Sequence, residues 1–337
     1  MYQTLHCHTT ASDGLLTYNQ VLKICNTNNI GVVAFTDHDS LPSAKVVKYL
    51  KNSKSSVKWV IGIEISSGKP NDFETNFSPH IVGLFVDPFN KNLMNHSRLA
   101  KKARIERMTR MVKSLKKLGF NITEKDCLKA SGGETVGRPH IVKAIISKDE
   151  NIVVIEKLKE KMEEDSKINE KLKEKYEYMM SAGKDSYPYT LFLSDDSYIR
   201  GVYVDYLYKV DLDGCVKLIR DAGGVSIFAH WFTEIKKCDR GCMEKLLKED
   251  RIDGVETVYG FFDDMREEFI KQRKILQDLV GKYHKLESGG VDAHTKKHLV
   301  DFAKNKWYAG LTVGMVEKII KSGKVDLSWS SLSNTNP

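Results

Sequence analysis

Thr4-Leu5-His6-Cys7-His8 and Gly31-Val32-Val33-Ala34-Phe35-Thr36-Asp37-His38-Asp39 decide how this chain folds. Each is a short apolar run that ends in histidine or aspartate, and the stretch between them, near Tyr18 to Asn28, reads as a helix. Outward from them the rhythm continues. A helix is expected near Ser43 to Lys51, and β-type runs at Val57 to Ile65 and His80 to Val86. Strand-helix-strand repetition predicts an α/β fold with largely parallel pairing, and a β/α barrel is its favoured form.

From about Asn95 the period changes. Leu99, Met108, Met111, Val112, Leu115 and Leu118 recur at helical spacing, while Lys101, Lys102, Arg104, Arg107 and Arg110 fill the other faces. Such a basic helix is read as a solvated face ahead of a nucleic-acid contact. Asn151 to Met180 carries Leu158, Met162, Ile168, Leu172, Tyr176 and Met179 as one stripe amid Lys and Glu, which predicts a helix or a helical hairpin. Ser131-Gly132-Gly133 marks a loop between the two stretches. The βα rhythm returns with a helix at Asp213 to Asp221, closed by Gly223-Gly224, and the strand Val225 to Ala229. Gly254 to Val258 and Glu287 to Val291 are later strands, separated by a helix around Met265 to Leu279. The expected organisation is a barrel split in sequence, 1–94 with 191–320, around a helical insertion at 95–190. A tail follows at 321–337, and its end from Ser328 to Pro337, rich in Ser and Asn, is expected to be loosely held.

Composition supports a folded, soluble chain. Of 337 residues 41% are hydrophobic and 29% charged, near the globular average, which argues against wholesale disorder. The net charge of +8 suits an anionic ligand. No apolar run approaches the roughly 18 residues of a membrane helix, and the start lacks a signal segment, so a cytoplasmic protein with no membrane partner and no obligate protein partner is expected. Six thinly spread cysteines argue against a disulfide framework, although Cys238-x3-Cys242 has the look of half a zinc site.

The chemistry-bearing residues gather at strand ends. His6-x-His8 follows the first strand, where alternate side chains project to one side. Asp13 follows; His38 comes directly after the second strand and Glu64 ends the third. His80 opens the next run, His230 ends another, and Asp292-x-His294 follows the last. Barrels place active sites at the C-terminal rim of their strands. Nine such groups there would be costly without partners, whereas two or three divalent cations of the Mn, Zn or Fe kind would satisfy them together. His80 starts its run whereas the others end theirs. That predicts a locally antiparallel pairing of the Val57 and His80 strands, or a loop returning to the ions.

At these residues the chain resembles the PHP (polymerase and histidinol phosphatase) family. The motifs are Leu5-His6-Cys7-His8 through Asp13-Gly14, Thr36-Asp37-His38-Asp39, Gly62-Ile63-Glu64-Ile65-Ser66 and His80-Ile81-Val82-Gly83. Gly137-Arg138-Pro139-His140-Ile141, Ala222-Gly223-Gly224-Val225 leading to Ala229-His230, and Gly290-Val291-Asp292-Ala293-His294 follow in order. The resemblance is strongest to stand-alone metal-dependent phosphoesterases with a helical insertion. It implies a distorted, TIM-like seven-stranded β/α barrel holding up to three ions, with the helical insertion as a substrate-binding subdomain. By resemblance His6, His8, Glu64 and Asp292 hold one ion, Glu64 bridges to a second held by His80 and His230, and Asp13, His38 and His294 hold the third. Trp231 and Val291 depart from the family pattern, at positions that shape the substrate mouth.

The expected chemistry is hydrolysis of phosphate esters by water activated on the ions that these nine residues hold. No Gly-x4-Gly-Lys-Ser/Thr loop and no Gly-x-Ser-x-Gly elbow is present, so nucleotide-driven phosphoryl transfer and serine hydrolase chemistry lack their parts. By resemblance Arg138 and His140 bind a substrate phosphate, for which a guanidinium fork is suited; the structural reading is a surface Arg before a helix-opening Pro. Asp37 and Asp39 are candidates to orient imidazoles, Asp39 alternatively to cap the next helix. Trp231, Tyr187 and Tyr259 are candidates to stack a base or simply to pack. The resemblance points to nucleoside 3',5'-bisphosphates or 5'-phosphorylated oligonucleotides as substrates, in the manner of a 5'-3' exonuclease. A small-molecule phosphatase, such as one acting on histidinol phosphate, is the alternative enzyme. A non-catalytic, metal-stabilised interaction domain is the alternative of another class.

Overall fold

The structure is a computed structural model, and it describes all residues except 69, 71, 74–77, 133, 134, 206, 207, 261–264 and 333–337. Gly133 of the expected loop lies outside the described residues. Two compact units are present: Met1–Leu99 with Lys209–Pro337, and Ala100–Tyr208.

The first unit is built on one seven-stranded sheet in sequence order: β1 (Tyr2–Thr4), β2 (Ile30–Phe35), β3 (Lys58–Ser66), β4 (His80–Leu84), β5 (Val225–Phe228), β6 (Gly254–Tyr259) and β7 (Leu286–Gly290). The neighbouring strands pair in parallel except at β4, which is antiparallel to both β3 and β5. The sheet curls until its edges meet. Leu5 N donates to Gly289 O (3.0 Å), His8 N to Ala293 O (2.8 Å) and Ala293 N to His6 O (3.3 Å). Gly290 permits that approach, since a Cβ there would stand 2.8 Å from both His6 N and Thr4 Oγ1.

Strands with both faces covered read as unbroken apolar runs, and β2, Ile30-Gly31-Val32-Val33-Ala34-Phe35, is buried at every position. The covering helices are α1 (Tyr18–Thr27), α2 (Ala44–Lys51), the start of α3 (Lys91–Lys117) and, among the described residues of the second half of the unit, seven more. Those of the second half are Leu212–Asp221, Trp231–Glu234, Arg240–Lys248, Arg266–Lys282, Lys296–Lys304, Lys306–Gly310 and Met315–Lys321, numbered α8 to α14. Local chemistry starts them where the loops end: the Thr17 side chain accepts from Gln20 N at the head of α1, and Asp211 accepts from Gly214 N at the head of α8. The expected loose tail is partly held. Ser330 bridges to Val60, Ser331 N donates to Trp59 O (2.9 Å), and the Trp329 ring lies 5.5 Å from Phe89, because Trp329 offers an apolar body to that surface.

The second unit is helical, with α4 (Glu124–Ala130), α5 (Arg138–Ile146), α6 (Asp149–Ser166) and α7 (Glu170–Ala182). Its own core includes Met108, Met111, Val112, Leu115, Ile145, Met162, Met179 and Phe192. The Asn151-to-Met180 stretch is a hairpin that breaks before Asn169, whose side chain accepts from Leu172 N and caps α7. Ile168 therefore leaves the expected stripe and is 90% exposed at the turn.

Cys238 and Cys242 are bonded to each other, which removes the half zinc site: one turn of chain brings their Cα atoms to 5.1 Å. The other four cysteines are free and buried. Among the described residues no helix is long and apolar enough to cross a membrane.

Candidate metal centre

Six of the seven strands deliver a candidate ligand to one rim. His6 and His8 continue β1, His38 follows β2, Glu64 lies near the end of β3, His230 follows β5, and Asp292 and His294 follow β7. His80 begins β4, yet it belongs to the same rim, because β4 runs backwards and pairs His80 with Ser66 at the end of β3. Asp13 arrives on a loop folded tightly over His8; a Cβ on Gly14 would stand 2.5 Å from the His8 carbonyl.

Glu64 is the hub. Its Oε2 lies 2.8 Å from His38 Nδ1, 3.3 Å from His8 Nε2 and 3.4 Å from His6 Nε2. Its Oε1 lies 3.0 Å from both His80 Nδ1 and His230 Nε2. Asp292 Oδ1 stands 3.0 Å from His8 Nε2 and 3.4 Å from His6 Nε2, and Asp13 Oδ1 stands 3.4 Å from His294 Nε2. Three groups have donor atoms all within 4.8 Å of one another: His8, Asp13, His38 and His294; His6, His8 and Asp292; and His38, Glu64 and His80. This grouping differs from the expected allotment: His8 and His38 each enter two groups, Glu64 stands outside the group of His6, His8 and Asp292, and His230, expected beside His80, enters none and meets the set through Glu64.

The donor set suits divalent cations. Asp13 Oδ1, His38 Nδ1, Glu64 Oε2, His230 Nδ1 and Asp292 Oδ1 are buried and make no hydrogen bond, although opposite charges lie within 4 Å of most of them. Buried polar atoms without partners are costly, and cations among them remove that cost.

Electrostatics within the protein alone divide the two residue types. Burial opposes charge on the Asp13, Glu64 and Asp292 carboxyls, but the surrounding imidazoles outweigh it and hold all three well below the usual carboxylate range. Burial likewise opposes charge on His8, yet Asp292 and Glu64 push it up to about 10. His6 is raised against burial by Glu256, Asp292 and Glu64. Burial lowers His38. The three carboxylates thus keep their charge, the form in which a carboxylate can bind a cation.

Residues behind the rim fix this arrangement. Asp37 accepts from Thr9 N (2.6 Å), Thr9 Oγ1 (2.8 Å), Ser12 Oγ (2.7 Å) and Tyr18 Oη (3.0 Å), so it braces the loop that carries Asp13 and bonds no imidazole directly. Asp39 accepts from Ser66 N and Oγ and stands 3.2 Å from Nε2 of His96, which is not a rim residue; Ser43, not Asp39, caps α2. Glu256, on β6, was not singled out by sequence. It is buried, with Oε1 2.8 Å from His6 Nδ1 and Oε2 accepting from His230 N at 2.7 Å. Its one signal is a carboxylate inside the apolar run Gly254-Val255-Glu256-Thr257-Val258. His230 and Asp292 both take left-handed backbone, φ +36° and +49°, a strained geometry for residues with a Cβ.

Of the three aromatic candidates only Tyr259 reaches the rim. Its ring centre is 5.3 Å from that of His230, and its hydroxyl donates to Asp292 Oδ2 at 3.4 Å. Trp231 is fully buried and donates to Cys238 O, and Tyr187 packs in the helical core, so neither presents a face to a base.

In the helical unit, Arg138 opens α5 and donates to Leu193 O (3.2 Å), with Tyr189 and Tyr203 rings 5.7 and 5.8 Å from its guanidinium. His140 is buried and accepts from Gly137 N at 3.0 Å, capping the helix. Arg104 and Arg107, read from sequence as surface charges, are drawn inward beside Arg138. Burial, and behind it the like charges of Arg138 and Arg104, lower Arg107 against the opposing pull of Tyr203 and Asp205.

Fold and site together define a class: a β/α barrel whose rim gathers histidines and carboxylates in groupings suited to divalent cations. The chain belongs to the PHP domain family, which residues 4–308 match. It is similar to the 5'-3' exoribonuclease Rnm of Salmonella typhimurium, 28% identical over 145 residues, 42% of this chain and 47% of that protein. It is also similar to the phosphoribosyl 1,2-cyclic phosphate 1,2-diphosphodiesterase of Eggerthella lenta, 37% identical over 87 residues, 26% of this chain and 32% of that protein. The matched segments thus span about half and a third of those relatives. Two solved structures share the fold. One, from Bifidobacterium adolescentis and described as a metal-dependent phosphoesterase, has a TM-score of 0.63 at 22% identity, covering 87% of this chain and 88% of that one. The other, an amidohydrolase from Chromobacterium violaceum with bound sulfate and no metal, has a TM-score of 0.62 at 20% identity and covers 88% of each chain.

Proposed function

We propose that this chain is a metal-dependent phosphoesterase whose His6, His8, Asp13, His38, Glu64, His80, His230, Asp292 and His294 hold two or three divalent cations of the Mn, Zn or Fe kind. The observation that carries the reading is the convergence of eight of these residues in three overlapping groups, with His230 joined to them through Glu64 at 3.0 Å and buried atoms among them that make no hydrogen bond. Bound there, divalent cations acidify coordinated water and neutralise phosphoryl oxygens.

The chain's own residues supply the rest. Glu64 reaches members of all three groups and would be the carboxylate shared between cations held there. Tyr259, a partly buried phenol at the rim raised far above the usual range, stays protonated and can turn its hydroxyl proton from Asp292 Oδ2 to a substrate oxygen. Arg138, backed by Arg104 and Arg107, supplies concentrated positive charge for a further substrate phosphate.

The proposed substrates are 5'-phosphorylated oligonucleotides or nucleoside 3',5'-bisphosphates, supported by the similarity to a 5'-3' exoribonuclease. A small-molecule phosphate ester is the second reading, supported by the similarity to a diphosphodiesterase acting on a phosphoribosyl compound. Protein loaded with Mn is tested on 5'-phosphorylated oligoribonucleotides, nucleoside bisphosphates, phosphosugars and histidinol phosphate. Release of mononucleotides or phosphate from the first two supports the leading reading; turnover confined to the last two replaces it, and no turnover at full metal occupancy leaves an interaction domain. Arg138→Ala is expected to raise KM about 10-fold or more, the loss of a charge-assisted hydrogen bond, with metal content unchanged. An unchanged KM removes Arg138 from substrate binding.

A further inference from the structure

Glu256 has no place in the proposed ligand set, yet it touches two members of it. It sits within β6, 1% exposed, and spends one oxygen on each: Oε1 meets the His6 ring at Nδ1 (2.8 Å), and Oε2 accepts from the His230 main-chain N (2.7 Å). An imidazole that donates through Nδ1 carries its lone pair on Nε2. Nε2 is the atom of His6 that faces the other donors, 3.1 Å from His8 Nε2 and 3.4 Å from Glu64 Oε2 and Asp292 Oδ1. The second oxygen holds His230 where its backbone turns left-handed at φ +36°, and from there His230 Nε2 reaches Glu64 Oε1 at 3.0 Å.

We propose that Glu256 is a positioning residue of the metal centre: one carboxylate selects the His6 tautomer that offers Nε2 to a cation and pins the strained turn that aims His230. This rests on the metal-centre reading above. It also explains why a carboxylate and not an amide stands here. Both partners are donors, and a glutamine has one acceptor oxygen for the two of them. Its NH2 would face either the His230 N–H, a donor against a donor, or His6 Nδ1, forcing the proton onto Nε2 and closing that atom to a cation.

The test uses the metal-free full chain and Glu256→Gln, titrated with Mn2+ by equilibrium dialysis, with circular dichroism as the folding control. The wild type is expected to bind, and the variant to bind about 10- to 100-fold more weakly, the usual cost of losing a ligand's orienting partner. Equal affinity in a folded variant overturns the inference while the metal centre stands. A wild type that binds no Mn2+ overturns the metal centre and this inference with it. If the variant does not fold, 15N spectra of the wild-type histidine rings, taken with the pH raised until His6 is neutral, decide, with His6 assigned through His6→Asn: a lone proton on Nδ1 in the metal-free protein supports the role, and a lone proton on Nε2 overturns it.

Discussion

Asp37 shows how much a single side chain behind the rim can govern. It accepts four hydrogen bonds from Thr9, Ser12 and Tyr18, and Ser12 Oγ in turn stands 3.4 Å from His8 Nδ1. Asp37→Asn replaces one accepting oxygen by a donor and leaves two or more buried groups facing it wrongly. Urea unfolding should show a loss of about 3 kcal/mol, and metal content should fall with it, since the loop bearing Asp13 loses its brace. At this scale the rim was legible because its residues are types with few reasons to stand at strand ends. Glu256 was not, since one acid within a strand carries no spacing signal, and Asp37 was read as an imidazole partner because sequence does not reveal that Thr9, Ser12 and Tyr18 surround it.

Among elements, the reversal of β4 was readable from His80 alone, as one of two ways to bring the start of a run to a rim made of ends. The break between α6 and α7 was not decided by the stripe of apolar residues, because the stripe runs on through Ile168 while the Asn169 cap ends the helix. The join of α8, β5 and β6 supports a pH prediction. Burial pushes the Asp253 carboxyl up, but hydrogen bonds from Arg220 and from Ser226 N (2.9 Å) and Oγ (2.7 Å) hold it below the ordinary value. A carboxyl lowered in the folded state contributes stability in full above its unfolded pKa, about 3.9, and loses it as pH falls through the folded value. Asp253→Asn should therefore cost about 1–3 kcal/mol at pH 7, and the gap to wild type should close as the pH is taken below 4. Urea titrations at the two pH values check it; a gap that stays constant contradicts the assignment.

For the whole molecule, the two units have separate apolar cores, one running through the barrel and one through the helices. The sequence placed the insertion at 95–190, whereas the compact helical unit is Ala100–Tyr208. The difference arises because α3 passes through the first boundary without a break, and periodicity cannot mark where a continuous helix changes neighbours. Separate cores predict separate responses to chelation. Cations that bind only the folded barrel at about 100 times their Kd contribute about 2.7 kcal/mol each. Removing them should lower the barrel's Tm by about 5 °C or more in calorimetry and leave the helical unit's transition in place. Coincident shifts of both would show that the cores melt together.

The rim draws on residues far apart in sequence, from His6 to His294, and β1 has no second neighbour until β7 exists. During synthesis at about 5–20 residues per second, the first histidines emerge roughly 15 to 60 seconds before the last aspartate. The helical unit, contiguous in sequence, can finish folding within that interval, but the cation pocket cannot. On the proposed metal-centre reading, loading is confined to chains translated past His294, and a polypeptide truncated before β7 leaves the ribosome with no complete site.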